Sequence, residues 1–293
     1  MSEGVIVKAL SGFYYVRSQE ETVRCRARGI FRKEGMSPLV GDRVEFTKNC
    51  DGSGTIDSVR ARRNHFIRPA VANVDQLIIM ASPVIPVTDP YLIDRVCAIA
   101  ERAGCEPVIC INKTDADPGD GLWNIYSGTG YRVLRTSAVT GTGIDELGQV
   151  LAGKISAFTG NSGVGKSSVL NALSPELGVQ VGEVSEKLGR GRHTTRHVEL
   201  FDLGGDTYVA DTPGFASFDT EMVEPIPKDE LQYVFGEFGQ YIGKCRFSDC
   251  VHLKEPGCAV LEAVAEGRIH VSRHASYARM YEQAAKIKDW EIK

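Results

Sequence analysis

The chain has 293 residues, 42% of them hydrophobic and 25% charged, with 8 cysteines and a formal net charge of −4. That length supports about two or three domains with packed cores, and the composition excludes a disordered, collagenous or disulfide-stapled chain. No apolar run reaches the length of a membrane span: the stretch 74–87 is broken by Asp75, Gln76, Ser82 and two prolines. Met1-Ser2-Glu3-Gly4 has neither the basic nor the apolar region of a signal peptide, so a cytoplasmic protein is expected.

The charge is unevenly placed. Residues 1–68 hold 13 basic and 8 acidic side chains, a balance of +5, and the rest of the chain carries −9. A basic first module on an acidic body suits a polyanionic partner, although a solvated strand face explains the same balance. Short β-rich segments run at Val5–Leu10, Phe13–Val16, Val23–Ala27, Arg43–Phe46 and Thr55–Val59, separated by turn formers such as Ser11-Gly12 and Asp51-Gly52-Ser53-Gly54. Five strands in this length predict a small OB-like barrel, a common oligonucleotide-binding scaffold, with an SH3-like barrel fitting nearly as well. Arg24, Arg26 and Arg28 alternate, which sets three guanidiniums on one strand face. Phe13, Tyr14, Tyr15 and Phe31 either stack on bases or fill the barrel core.

The pattern changes at Arg68-Pro69, where a second module, 69–222, is expected to begin. An apolar strand at 74–81 is followed by a helix from Asp89 with Pro90 in its first turn, then a strand at Pro107–Ile111. Strand and helix keep alternating through Tyr131–Ser137 and Ile144–Ala152, the rhythm of a parallel sheet covered by helices. Next comes Gly160-Asn161-Ser162-Gly163-Val164-Gly165-Lys166-Ser167, followed by Ser168, which fits the phosphate-binding pattern G-x-x-x-x-G-K-[ST] between a strand and a helix. Its glycines let backbone N–H groups converge on phosphate oxygens, Lys166 supplies charge to the β- and γ-phosphates, and the Ser167 hydroxyl suits Mg²⁺.

Ligands in such sheets bind beyond the carboxyl ends of the strands. Three more short motifs stand there: Asn112-Lys113-Thr114-Asp115, Ser137-Ala138 and Asp211-Thr212-Pro213-Gly214. The set resembles the P-loop GTPases, with NKxD, SA, GxxxxGKS and DxxG in one sheet. That resemblance implies GTP rather than ATP, since the Asp115 carboxylate would accept from two guanine N–H groups. Asn112, Lys113 and Thr114 would brace the base pocket opposite Ser137 and Ala138. The order is circularly permuted, because NKxD and SA precede the phosphate loop and DxxG comes last. The glycine-rich, basic run Gly189–His197 reads as a switch loop, in which Thr194 or Thr195 would bind Mg²⁺. Ser167, Thr195 and Asp211 form the expected magnesium set, and the Gly214 N–H would reach the γ-phosphate. Phe215 stands where a water-orienting glutamine follows DxxG in Ras-type enzymes, so unaided hydrolysis is expected to be slow, with His193 as an in-chain candidate for the missing polar group.

The last module, 223–293, carries Cys245-x4-Cys250-x-His252-x5-Cys258. Three thiolates and one imidazole in a compact run make a closed tetrahedral set, the structural zinc type. Helices are expected at Asp229–Phe238, Ala259–Glu266 and Ser272–Lys288, the last with a basic face that includes Arg273 and Arg279. His270 and His274 fall on that last stretch outside the ligand set.

The whole order resembles the RsgA (YjeQ/YloQ-type) family of circularly permuted GTPases dependent on the small ribosomal subunit. The fold implied is a multidomain α/β chain with an OB-like barrel, a permuted P-loop GTPase domain and a helical zinc-binding module. What the resemblance implies further is a monomeric factor, unattached to membranes, that acts late in 30S maturation. It would bind 16S rRNA, use GTP/GDP, Mg²⁺ and one structural Zn²⁺, and hydrolyse GTP faster on the subunit. A GTP-regulated signalling switch with a protein activator is the alternative.

Overall fold

Eleven strands form one continuous sheet that runs through both the basic first module and the motif-bearing second one. The computed structural model describes residues 1–19, 21–33, 35–67, 70–175, 198–211 and 225–287.

The first five strands are β1 Ser2–Leu10, β2 Phe13–Ser18, β3 Glu21–Ala27, β4 Arg43–Lys48 and β5 Gly54–Val59. β1 pairs with both β2 and β4, and β3 runs parallel to β5, so the five close on themselves. The parallel β3–β5 contact decides between the two expected barrels in favour of the OB-like Greek key. Alternation explains the filling: Val23 and Cys25 point in, whereas Thr22, Arg24 and Arg26 point out. Phe31 is buried and belongs to the core, as does Phe46. A short helix, α1 Gly29–Lys33, links β3 to β4. A small hairpin, β6 His65–Ile67 with β7 Ala70–Ala72, straddles the expected boundary.

Beyond it lie β8 Gln76–Ala81, β9 Glu106–Ile111, β10 Arg132–Arg135, β11 Ile155–Thr159, β12 Glu199–Gly204 and β13 Thr207–Asp211. Their order is β10-β9-β8-β11-β13-β12, all parallel except β12. β8 is buried along its whole length, as a parallel strand covered on both faces must be. Leu77, Ile79 and Ala81 face one layer with α2 Pro90–Arg102 and α3 Asp120–Tyr126. Ile78 and Met80 face the other, with α4 Ile144–Leu151 and α5 Lys166–Leu173. Pro90 and the Asp89 cap, whose carboxylate accepts from the Tyr91 N–H at 2.9 Å, start α2 as the sequence predicts. The permuted sheet therefore ends at β12, and β1 of the barrel pairs with that edge at Lys8↔Glu199.

The C-terminal residues pack on α2 through α7 Val271–Ala284, with α6 Ala259–Ala265 behind it. Two expectations fail here. The helix predicted over Asp229–Phe238 is two short 3-10 turns, Leu231–Tyr233 and Gly236–Phe238. Phe235 is extended (φ −104°, ψ 92°) and Gly236 follows it, a residue that costs about 1 kcal/mol inside a helix. The break lets Glu237 turn inward to Arg273, its Oε1 accepting from Nε at 2.6 Å. Arg273 itself, expected on a basic outer face, is 1% exposed. Its Nη1 donates to Asp94 Oδ1 of α2 at 2.6 Å, and its guanidinium lies 4.6 Å from the Phe235 ring. Burying one cation against two carboxylates keeps each charge paired, which an unpaired one could not afford at this depth.

Candidate nucleotide site and metal centre

The phosphate loop leaves β11 at Gly160 and enters α5 at Lys166. Gly160 has φ +143°, and a Cβ there would stand 2.5 Å from the Met80 carbonyl oxygen, so no other residue fits without moving β8. Gly163 and Gly165 have φ +82° and +96°, and a Cβ on Gly165 would fall on the Asn112 side chain. Lys166 Nζ donates to the carbonyls of Gly160 and Asn161, the latter at 3.0 Å, which holds the ammonium over the loop. Ser162 and Gly163 are exposed at its tip, whereas Asn161, Gly165, Ser167 and Ser168 are half-buried and Val164 is buried.

The NKxD segment leaves β9 two strands away and is tied directly to this loop. Asn112 Nδ2 donates to the Val164 carbonyl at 2.8 Å, and Asn112 Oδ1 accepts from Thr136 Oγ1 at 3.2 Å. Lys113 has φ +65° and its Nζ donates to the Ile85 carbonyl at 3.0 Å. Thr114 donates through N and Oγ1 to the Thr136 carbonyl, at 3.1 and 2.9 Å. Asp115 is exposed, with Oδ1 accepting from the Ser137 hydroxyl at 2.6 Å. Ser137 is buried, and Ala138 is half-buried beside it. The tertiary structure thus brings Asn112–Asp115, Ser137, Ala138 and Gly160–Ser168 to one end of the sheet. Two partners carry no motif: Thr136 is the residue just before Ser137, and Ile85 contributes only a carbonyl, which leaves no sequence signal.

Asp211 closes β13, whose Ala210 is the register partner of Ala157 on β11. β11 leads through the phosphate loop to Ser167 at the start of α5, and Asp211 ends the adjacent strand. Both offer hard oxygen ligands, the kind Mg²⁺ takes. His193, Thr194, Thr195 and Gly214 lie outside the described residues.

The second cluster is Cys245, Cys250, His252 and Cys258, whose ligand atoms all lie within 4.8 Å of one another. His252 Nδ1 stands 3.5, 3.5 and 3.4 Å from the Sγ atoms of Cys245, Cys250 and Cys258, and the Cys245 and Cys258 sulfurs are 3.8 Å apart. A tetrahedron with Zn–S of about 2.3 Å and Zn–N of about 2.0 Å has edges of about 3.8 Å and 3.5 Å. The donor set therefore fits zinc in size and chemistry.

Residues absent from the sequence motif orient this set. His252 Nε2 lies 3.0 Å from Gln232 Oε1, so the tautomer that donates there leaves the Nδ1 lone pair for the metal. His274 Nε2 donates to the His252 carbonyl at 2.7 Å, and Glu255 Oε2 accepts from the Leu253 and Lys254 N–H groups at 2.9 and 3.0 Å. His270 caps α7, its Nδ1 accepting from the Ser272 N–H at 3.1 Å. Burial pushes the Cys250 thiol up to about 12 and lowers His252, so the imidazole is neutral near pH 7 and a metal must displace thiol protons.

Residues 59–221 match a family model described as RsgA GTPase, and residues 3–56 match the RsgA N-terminal domain. A Thermotoga maritima protein called small ribosomal subunit biogenesis GTPase RsgA is 46% identical over 288 residues, covering 95% of each chain. The protein of that name from Caldanaerobacter subterraneus subsp. tengcongensis is 46% identical over 278 residues, covering 94% of this chain and 93% of its own. Among solved structures, YjeQ from Thermotoga maritima superposes with a TM-score of 0.84 at 40% identity, over 98% of this chain and 99% of its own. YloQ, described as a circularly permuted GTPase, gives 0.81 at 36% identity, over 98% and 96%.

Proposed function

This chain belongs to the RsgA family of GTPases and hydrolyses GTP, and on that premise we propose that it acts late in assembly of the small ribosomal subunit, in the cytoplasm and as a monomer. The observation that carries the nucleotide-binding part of this reading is the Asn112–Val164 hydrogen bond, which ties the base-reading and phosphate-binding segments into one wall; its place in subunit assembly rests on the relatives. We divide the chain into an RNA-binding barrel at 1–68, a permuted GTPase domain at 69–222 and a zinc-binding module at 223–293.

Guanine is read by Asp115, oriented by the Ser137 hydroxyl, with Asn112, Lys113, Thr114 and Ala138 shaping the pocket. The Gly160–Ser168 segment wraps the phosphates, and Lys166 balances charge on the β- and γ-groups. Mg²⁺, when bound by Ser167, Thr195 and Asp211, neutralises developing phosphate charge. The Gly214 N–H meets the γ-phosphate, and His193 is the candidate to orient water because Phe215 neither donates nor accepts a hydrogen bond. Cys245, Cys250, His252 and Cys258 hold one structural Zn²⁺. The barrel offers rRNA an aromatic flanked by cations: Arg24 and Arg26 guanidiniums lie 4.9 and 4.7 Å from the Phe13 ring centroid.

The test is steady-state GTP hydrolysis by the full chain alone and with purified 30S subunits, 50S subunits or 70S ribosomes. Stimulation by 30S alone supports the reading. Stimulation by none of these particles overturns the subunit assignment and points to a signalling switch with another activator.

A further inference from the structure

The barrel meets the GTPase sheet at one register pair, Lys8↔Glu199, between β1 and β12. Across β12, Glu199 is in turn the register partner of Asp211 on β13. Lys8, Glu199 and Asp211 therefore form one row across three adjacent strands, spanning about 10 Å at the usual strand spacing. The first step of that row is a side-chain contact, Lys8 Nζ to Glu199 Oε2 at 2.8 Å, with both groups partly shielded from solvent. A second clamp joins the next barrel strand to β12, Arg17 Nε of β2 to Asp202 Oδ2 at 2.9 Å. The barrel thus grips the hairpin that ends in Asp211, at the very residue opposite it.

We propose that Lys8 and Glu199 are positioning residues for the magnesium end of the nucleotide site, which makes the barrel a working part of the GTPase. This rests on the reading of Asp211 as a magnesium ligand. Pairing across a sheet fixes the height of one strand against the next, and a cross-strand ion pair resists slippage by holding the register. Lys8 supplies that hold on Glu199 from a module 191 residues away in sequence. Anything that moves the barrel on its partner then moves the hairpin that presents Asp211.

The experiment is the release rate of a fluorescent GDP analogue from the full chain as free Mg²⁺ is titrated, with a parallel thermal melt. Variants are Lys8→Met, Glu199→Gln, the conservative Lys8→Arg, and Asp211→Asn. The expected result is that Lys8→Met and Glu199→Gln both raise the Mg²⁺ concentration that half-retains the nucleotide, by about three- to tenfold. Lys8→Arg should follow the parent, and release in the presence of a chelator should be alike in all. Shifts of opposite sign in the two variants would mean long-range charge rather than positioning, and would overturn the inference. So would a lower melting temperature with an unchanged magnesium midpoint, which marks a purely structural joint. An unchanged midpoint in Asp211→Asn would overturn the Asp211 reading, and this inference with it.

Discussion

Asn112 follows β9 and Val164 follows β11, two strands away in the sheet, yet the Asn112 amide donates to the Val164 carbonyl at 2.8 Å and both are buried. Removing that donor leaves a buried carbonyl unsatisfied and unties the two halves of the nucleotide pocket. Asn112→Ala should weaken GTP and GDP binding by about 1–3 kcal/mol, roughly five- to 150-fold, with a modest loss in melting temperature. Equilibrium titration with a fluorescent guanine nucleotide measures it, and parent-like affinity would refute the wall.

Asp115 is exposed and prealigned by the Ser137 hydroxyl. Asp115→Asn replaces an acceptor pair with an amide that suits the 2-oxo group of xanthine. Competition between GTP and XTP should reverse in preference. Retention of parent-like GTP affinity would remove Asp115 from the base pocket.

Arg273 is enclosed by Asp94, Glu237 and aromatic rings. Arg273→Met strands two buried carboxylates and should cost about 3–5 kcal/mol in urea unfolding. The loss carries a pH signature. Burial already raises Asp94, opposed by Arg273, Ser276 and Tyr126, and removing the arginine removes the main opposition. A carboxyl raised in the folded state keeps its full stability below the ordinary carboxylate range and loses it as pH rises through the folded value. The deficit of Arg273→Met relative to the parent, both zinc-loaded, should therefore be smaller at about pH 5.5 than at about pH 8. An equal deficit at both would contradict this.

Gln232 reaches the face of His252 remote from the thiols. Gln232→Ala frees the ring to rotate and should weaken zinc by about tenfold, in line with other outer-sphere partners of histidine ligands. Competition against a chromophoric chelator reads the effect directly. No change would assign tautomer control to another group.

Arg24 and Arg26 stand beside Phe13 on the outer face of the barrel. If they meet RNA phosphates, each change to alanine should lower the slope of log affinity against log salt by about one, nearly independent of sequence. Filter binding to rRNA fragments at several salt concentrations tests it. An unchanged slope would place the phosphate contacts elsewhere.

Much of this molecule is legible because its signals are local. Gly160–Ser167 is a single strand–loop–helix turn, the ligands from Cys245 to His252 and Cys258 lie within 14 consecutive positions, and the motif order exposes the permutation without any long-range contact. The parallel rhythm of β8 to β11 follows from apolar runs separated by helical spacing. Contacts between distant segments are a different matter. The β3–β5 pairing that chose the OB topology, the Lys8↔Glu199 register and the burial of Arg273 join residues whose separation leaves no periodic trace. Gln232 and His274 serve the zinc loop from outside its motif, and Leu231–Phe238 has helical spacing yet breaks at Phe235-Gly236, which turns Glu237 to Arg273. Chain-local chemistry wrote the motifs; only the three-dimensional packing of remote side chains decided which charges face water and which hold the modules together.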